Sequence, residues 1–267
     1  MNKPLAFVKR DLLVEASYRF PFLFQVVWTC LSIASYFFLA RFIGNAMVPA
    51  LDAYGGDYFA FVLIGVALHD YFITALNAFS RSIRESQLAG TLEALLSTQT
   101  SLPTIILSSA AYPFLRTSFD VVLYLALGVG LFGLRLTSGN WIATVLILSL
   151  SIVVFSGLGI LSASFTMVFK RGDPIFLFFG GLSWLLGGIL YPVTVLPEWL
   201  QQVSALFPIT YAIEGMRASL LRAAPWSELW HSLGPLLLFA FAVLPLSLVS
   251  FHYATKHARI TGTLDQY

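Results

Sequence analysis

The residues in this sequence best placed to do chemistry are ionisable groups inside long apolar runs. His69 and Asp70 lie within Tyr58 to Phe79, and Arg116 and Asp120 lie within Thr104 to Leu134. In lipid each such group costs at least about 2.5–3.5 kcal/mol to insert, so each should face protein or water and have a partner. Arg116 and Asp120 are four apart, the spacing at which two side chains meet on one helix face. Asp70 can join them from the neighbouring run. One reading of this set is a proton or substrate relay; the other is a neutralised network that fixes helix packing. A third possibility is acid–base catalysis by His69, Asp70 and Asp120. Adjacent positions on a helix point about 100° apart, however, and no nucleophile or metal-ligand cluster completes a mechanism. No catalytic and no metal-binding residue is therefore assigned.

The elements that hold these groups follow from composition. Of the 267 residues, 58% are hydrophobic and 10% are charged, against roughly 45–50% and about 25% in soluble domains. A net charge of +2 is too small and too dispersed for a nucleic-acid footprint, which needs clustered basic residues. The single cysteine, Cys30, can form no intrachain disulfide and lacks ligand neighbours for zinc.

A bilayer core about 30 Å thick needs roughly 20 apolar residues per helix, with every backbone group satisfied internally. Six runs meet that need, at about 22–43, 58–79, 104–134, 141–169, 174–196 and 235–254. The expected fold is an all-α membrane protein of six transmembrane helices, with residues 1–267 forming one transmembrane domain. Placing both termini in the cytoplasm puts ten of the fifteen Lys and Arg residues on the inner side, as the positive-inside rule asks. Arg41, Arg135, Arg217 and Arg222 then lie outside. The first run is too long for a signal-peptide core and lacks an obvious cleavage site, so it is expected to remain as a span.

The connections differ in character. Residues 2–18 read as an amphipathic helix in the cytoplasmic interface, with Leu5, Val8, Leu12 and Ala16 in one stripe. The inner loop 80–103 is the most polar inner stretch, and within it Thr91 can cap a short helix bearing Leu92, Leu95 and Leu96 beside Glu93. Such a helix can dock another protein or pack on its own chain. The outer connection 197–234 contains Glu198 to Phe207 and Ile209 to Arg222, broken at Pro208. Both pieces are too short to cross and too apolar to float in water, so a re-entrant outer hairpin is expected. Glu214 and Arg217, three apart, can pair on one face. Gly180 and Gly181 precede Gly187 and Gly188 by seven residues, about two turns, and suggest a close-packing helix face. Aromatics form 15% of the chain and mostly suit interfacial anchoring. Tyr191, Phe207 and Tyr211, near the hairpin, are candidates for an exit path.

Two segments carry a resemblance. GTLEALLSTQTSLPTIILS, from Gly90 to Ser108, and LLGGILYPVTVLPEWLQQVSALFPITYAIEGMRASLL, from Leu185 to Leu221, occur in order with the N-terminal FVKRDLLVEASYRFPF. Together with the span pattern, they resemble the type-2 ABC exporter permeases, the membrane subunits of ATP-driven bacterial exporters. The resemblance implies a homodimer in the bacterial inner membrane, joined by two copies of a separate nucleotide-binding subunit that holds ATP and Mg. It implies that Arg84, Glu85, Gln87, Gly90, Thr91, Leu92 and Glu93 lie in or near the coupling helix that meets that subunit. ATP-driven transport needs no proton path, which favours the packing reading of the buried charges. No G-x-x-x-x-G-K-[ST] phosphate loop occurs in the sequence, so this chain is expected to carry no cofactor and to be a transport subunit rather than an enzyme. The implied cargo is an amphipathic, drug-like or lipid-like substrate, with polysaccharide or lipid-linked glycan as the alternative. A channel or membrane scaffold is the remote alternative, distinguished by its lack of need for a docking loop.

Overall fold

The computed structural model describes residues 8–10, 12–13, 19–43, 51, 54, 57–88, 102–134, 139–169 and 173–260. Among these residues all regular structure is helical. In chain order the long helices are α1 (Arg19–Ile43), α2 (Tyr58–Leu88), α3 (Leu102–Phe132) and α4 (Trp141–Phe169). A π-helical stretch, Phe176–Gly180, then leads into the short α5 (Gly181–Leu186). The connection that follows holds α6 (Glu198–Ser204) and α7 (Pro208–Leu221), and α8 (Trp226–Ile260) closes the fold. Five of these helices, α1 to α4 and α8, are long and apolar enough to cross a membrane. Such helices satisfy their own backbone, and Pro113 in α3 and Pro235 and Pro245 in α8 are the kind of interruption membrane helices tolerate.

α2 is the buried axis of the bundle, whereas α1 and α3 are largely exposed. It packs against α3 and α4, and α8 packs along α4. Gly159 of α4 lets the two backbones meet, since a Cβ there would collide with the carbonyl oxygen of Ala75. Small residues serve this purpose in membrane bundles, where close van der Waals contact replaces the hydrophobic drive.

Contacts fix the helix directions. Phe59 of α2 lies against Phe37 of α1 and Phe132 of α3, so α1 and α3 run antiparallel to α2. Asn140, just before α4, donates to Ser219 at 3.0 Å, and Arg222 pairs with Glu228 of α8 at 2.6 Å. α2, α4 and α8 therefore all start at the α7 end. The fifth segment runs back beside α2: Gly180 faces Ile73, Ser183 meets His69, and Ile189 reaches Gly65.

Several boundaries differ from the sequence expectation. α2 continues to Leu88, so residues 80–88 extend the second span rather than open a loop. The fifth span, expected over 174–196, stops as a helix at Leu186 because Gly187 and Gly188 turn the chain, the latter with φ +71°. Residues 226–234 begin α8 instead of belonging to the outer connection. Pro208 starts α7 rather than marking a gap. At the first helical position its missing N–H is one of the donors a helix leaves unpaired in any case. The break falls at 205–207, where Phe207 is extended. Of the N-terminal stretch 2–18, residues 8–10 and 12–13 are helical and the others lie outside the described residues.

Candidate functional site

The centre of interest is the point where α7, the end of the fifth segment and the start of α2 meet. α7 buries most of its residues against α2, α4 and α8, so a polar side chain on its buried face has only protein to contact. Arg217 is that side chain, 2% exposed. Its Nε and Nη2 donate to the Phe61 carbonyl at 3.1 and 2.9 Å, its Nη1 to Gly188 at 2.7 Å and its Nη2 to Ile189 at 2.9 Å. The guanidinium lies 3.3 Å from the centroid of the Phe61 ring, where the ring's negative face attracts a cation.

Three sequence features make this clamp possible. α5 ends at Leu186, and the turn that follows has carbonyls with no helical partner, the usual problem of a helix C-terminus. Gly188 takes the left-handed backbone that the turn needs. Gly65 clears space for it, because a Cβ there would lie 2.6 Å from both Arg217 Nη2 and the Ile189 oxygen.

This corrects two expectations. Arg217 is not an exposed outer charge, and it does not form its hydrogen bonds with Glu214. Glu214 instead accepts from the Tyr54 hydroxyl at 2.8 Å. Burial and the adjoining carboxylate push the Tyr54 phenol up from its ordinary pKa, which keeps it a donor. The positive-inside count could not identify a buried arginine, since it assigns sides from sequence distance alone.

The intramembrane charges divide into two groups. Arg116 Nε lies 3.7 Å from Asp120 Oδ2, the spacing predicted on one helix. Gln25 of α1 bridges them, accepting from Arg116 at 2.6 Å and donating to Asp120 at 2.8 Å. Asp70 joins this side through a hydrogen bond from Tyr124, which also contacts Thr29. His69 faces the other way, with Nε2 at 3.0 Å from Ser183 Oγ and its ring 4.5 Å from that of Trp184. His69, Asp70 and Asp120 thus do not converge, which removes the geometry an acid–base reaction would need. Gln25 and Tyr124 are the members that sequence reading missed. A polar residue in an apolar run is the signal that could have found Gln25.

The remaining candidates are scattered. Phe207 is 0% exposed and stacks on Phe178 at 5.5 Å. Tyr191 and Tyr211 are half-buried, and their hydroxyls donate to Leu185 O at 2.7 Å and Ala205 O at 3.1 Å. A Cβ at Gly180 would touch the Phe176 ring at 3.3 Å and one at Gly181 would meet nothing. Gly187 and Gly188 shape a turn and are not on a helix face with them. Arg84 and Glu85 are exposed on the last turns of α2, and Gln87 lies in the same helix. Gly90, Thr91, Leu92 and Glu93 lie outside the described residues.

A model of the ABC-2 type transporter family matches residues 22–221, which include the buried charges, the clamp, α6 and α7. The chain is similar to "Inner membrane transport permease YadH" of Escherichia coli K12, 28% identical over 170 residues, 64% of this chain and 66% of that protein. It is also similar to "Probable multidrug ABC transporter permease YbhR" of the same organism, 26% identical over 183 residues, 68% of this chain and 49% of that protein. The match therefore spans about two thirds of the first relative's length and about half of the second's.

Proposed function

This chain belongs to the ABC-2 type transporter family, and on that premise we propose that it is the membrane-spanning subunit of an ATP-driven exporter of amphipathic, drug-like or lipid-like molecules. Two copies form the pathway in the bacterial inner membrane with both termini in the cytoplasm, and two copies of a separate ATPase subunit bind ATP and Mg.

The observation that carries this reading is the length and position of α2. Its 31 residues span about 46 Å at 1.5 Å per residue, well beyond the roughly 30 Å of a hydrocarbon core. The excess bears Arg81, Arg84 and Glu85, directly before the Gly90 to Ser108 segment that resembles the family's inner loop. The same helix is the bundle's buried axis and carries Phe61 and Gly65 of the clamp. A push at the charged end is thus delivered along one rigid element to the outer turn. The fifth segment, with α6 and α7, acts as the sixth crossing and a re-entrant outer hairpin. Exposed Trp199, Trp226 and Trp230 suit the aromatic belt at that interface.

The substrate assignment takes support from the relative whose name includes multidrug transport. Inside-out membrane vesicles from cells expressing the chain with its ATPase test it. ATP should drive uptake of lipophilic fluorescent probes into the vesicles. Uptake of a lipid-linked glycan without the probes would replace this substrate class with the polymer one.

A further inference from the structure

At the end of the bundle opposite the clamp, α2, α4 and the start of the fifth segment line a half-open cavity of about 270 Å³. Arg81 and Arg84 of α2 line it, three residues apart, together with Asn77. Asp173 and Phe176, where the chain re-enters the bundle, form the facing wall. Both α2 and α4 pass from apolar to charged sequence here: Phe79 gives way to Arg81, and Phe169 is followed by Lys170 and Arg171. In a membrane that transition marks the level of lipid headgroups.

Arg81 and Arg84 are exposed at the mouth of the cavity, whereas Asp173 is fixed in its wall. Glu85 takes the Nε–H of Arg81 at 2.8 Å, and the guanidinium has further donors in its planar fork. Asp173 accepts the Phe176 N–H at 2.9 Å on one oxygen and the Ser162 hydroxyl on the other. A carboxylate has about four acceptor sites, so both oxygens retain capacity. The cavity therefore presents two guanidinium groups, one of them also paired with Glu85, and an amide on one side, a fixed anion on the other, and an aromatic ring beside them. That pattern complements a headgroup with a phosphate and an ammonium, not a simple anion.

We propose that this cavity binds a membrane phospholipid whose headgroup carries a phosphodiester and a primary ammonium. The phosphate lies against Arg81 and Arg84, the ammonium against Asp173, and Phe176 covers the glycerol end. Guanidinium–phosphate contacts are charge-assisted and geometrically specific. A primary ammonium can donate an N–H to a carboxylate, whereas a quaternary choline has no N–H to donate. The inference goes beyond the transport reading, since it requires only that these helix ends lie at a membrane surface.

Native mass spectrometry of the full chain in mild detergent tests it, with phosphatidylethanolamine, phosphatidylcholine and phosphatidylglycerol of identical acyl chains offered at equal concentration. The ethanolamine lipid should occupy the protein about tenfold more than either other lipid, the factor expected from one charged hydrogen bond. Asp173→Asn should abolish that preference, and Arg84→Gln should weaken phosphatidylethanolamine and phosphatidylcholine alike. Lys256→Gln, on α8 and outside the cavity, should change neither. Arg81→Gln provides a second reading of the phosphate contact if Asp173→Asn does not fold. Equal occupancy by the three lipids, preference for phosphatidylglycerol, or an ethanolamine preference that survives in Asp173→Asn would each overturn the proposal. So would equally tight binding of soluble glycerophosphoethanolamine, because the bilayer would then not be the source.

Discussion

Replacing Arg217 by alanine should destabilise this protein severely, although sequence reading counts it as an ordinary outer charge. The guanidinium serves three carbonyls. Phe61 is inside α2 and keeps its helical partner, so its oxygen is not orphaned. Gly188 and Ile189 follow the end of α5 and lose their donors. An unsatisfied buried polar group costs about 1–3 kcal/mol, so the two carbonyls account for about 2–6 kcal/mol before any term for the vacated volume. Arg222 provides the comparison. It forms an ion pair with Glu228 at 2.6 Å with side chains 30% and 45% exposed, an arrangement worth about 0–1 kcal/mol. Thermal unfolding in detergent, followed by the fraction remaining monodisperse, should show a large drop for Arg217→Ala and little change for Arg222→Ala. Arg217→Lys should fall between them, since one ammonium keeps the charge but cannot span three carbonyls with a planar fork. Equal behaviour of the Arg217 and Arg222 alanine variants would refute the clamp.

Two further substitutions probe the same physics. Gly65→Ala should be at least as damaging as Arg217→Ala, because its Cβ would meet the Ile189 oxygen at 2.6 Å and backbone cannot swing aside; expression and monodispersity by fluorescence-detected gel filtration would read this. Arg116→Ala should lower the amount of folded protein more than transport per folded molecule, and Gln25→Leu should do the same, as both break one bridged network. Normal abundance with lost transport would instead point to a substrate or proton relay.

The legible part of the fold was the part written in hydrophobic runs. α4 begins and ends where its run does, at Trp141 and Phe169, because lipid demands apolar length and nothing else competes. The fifth run was misread for the same reason. Val193, Val195 and Leu196 extend its apolar character, but the αL glycine at 188 ends the helix ten residues before the run does. Hydropathy cannot register a backbone dihedral. The Arg116–Asp120 pair was legible from i,i+4 spacing, whereas the clamp was not, because Arg217 bonds to backbone 28 and 156 residues away. No local pattern encodes a partner that is a carbonyl. The separation of His69 from Asp70 follows from helix geometry, while Gln25 is uncharged and its partners lie 91 and 95 residues away, so no local spacing marks it.

The central claim is that this chain is the membrane half of a machine whose ATPase is another polypeptide, docked beyond the charged end of α2. Purifying the chain from its native membrane in mild detergent, with the co-purifying proteins identified and ATP hydrolysis measured, tests that most directly. A nucleotide-binding subunit should be recovered at equal stoichiometry, with ATPase activity, and Glu93→Arg should release it without loss of the permease. A chain that purifies alone, with no ATPase in any gentle preparation, would contradict the claim and return the channel or scaffold reading.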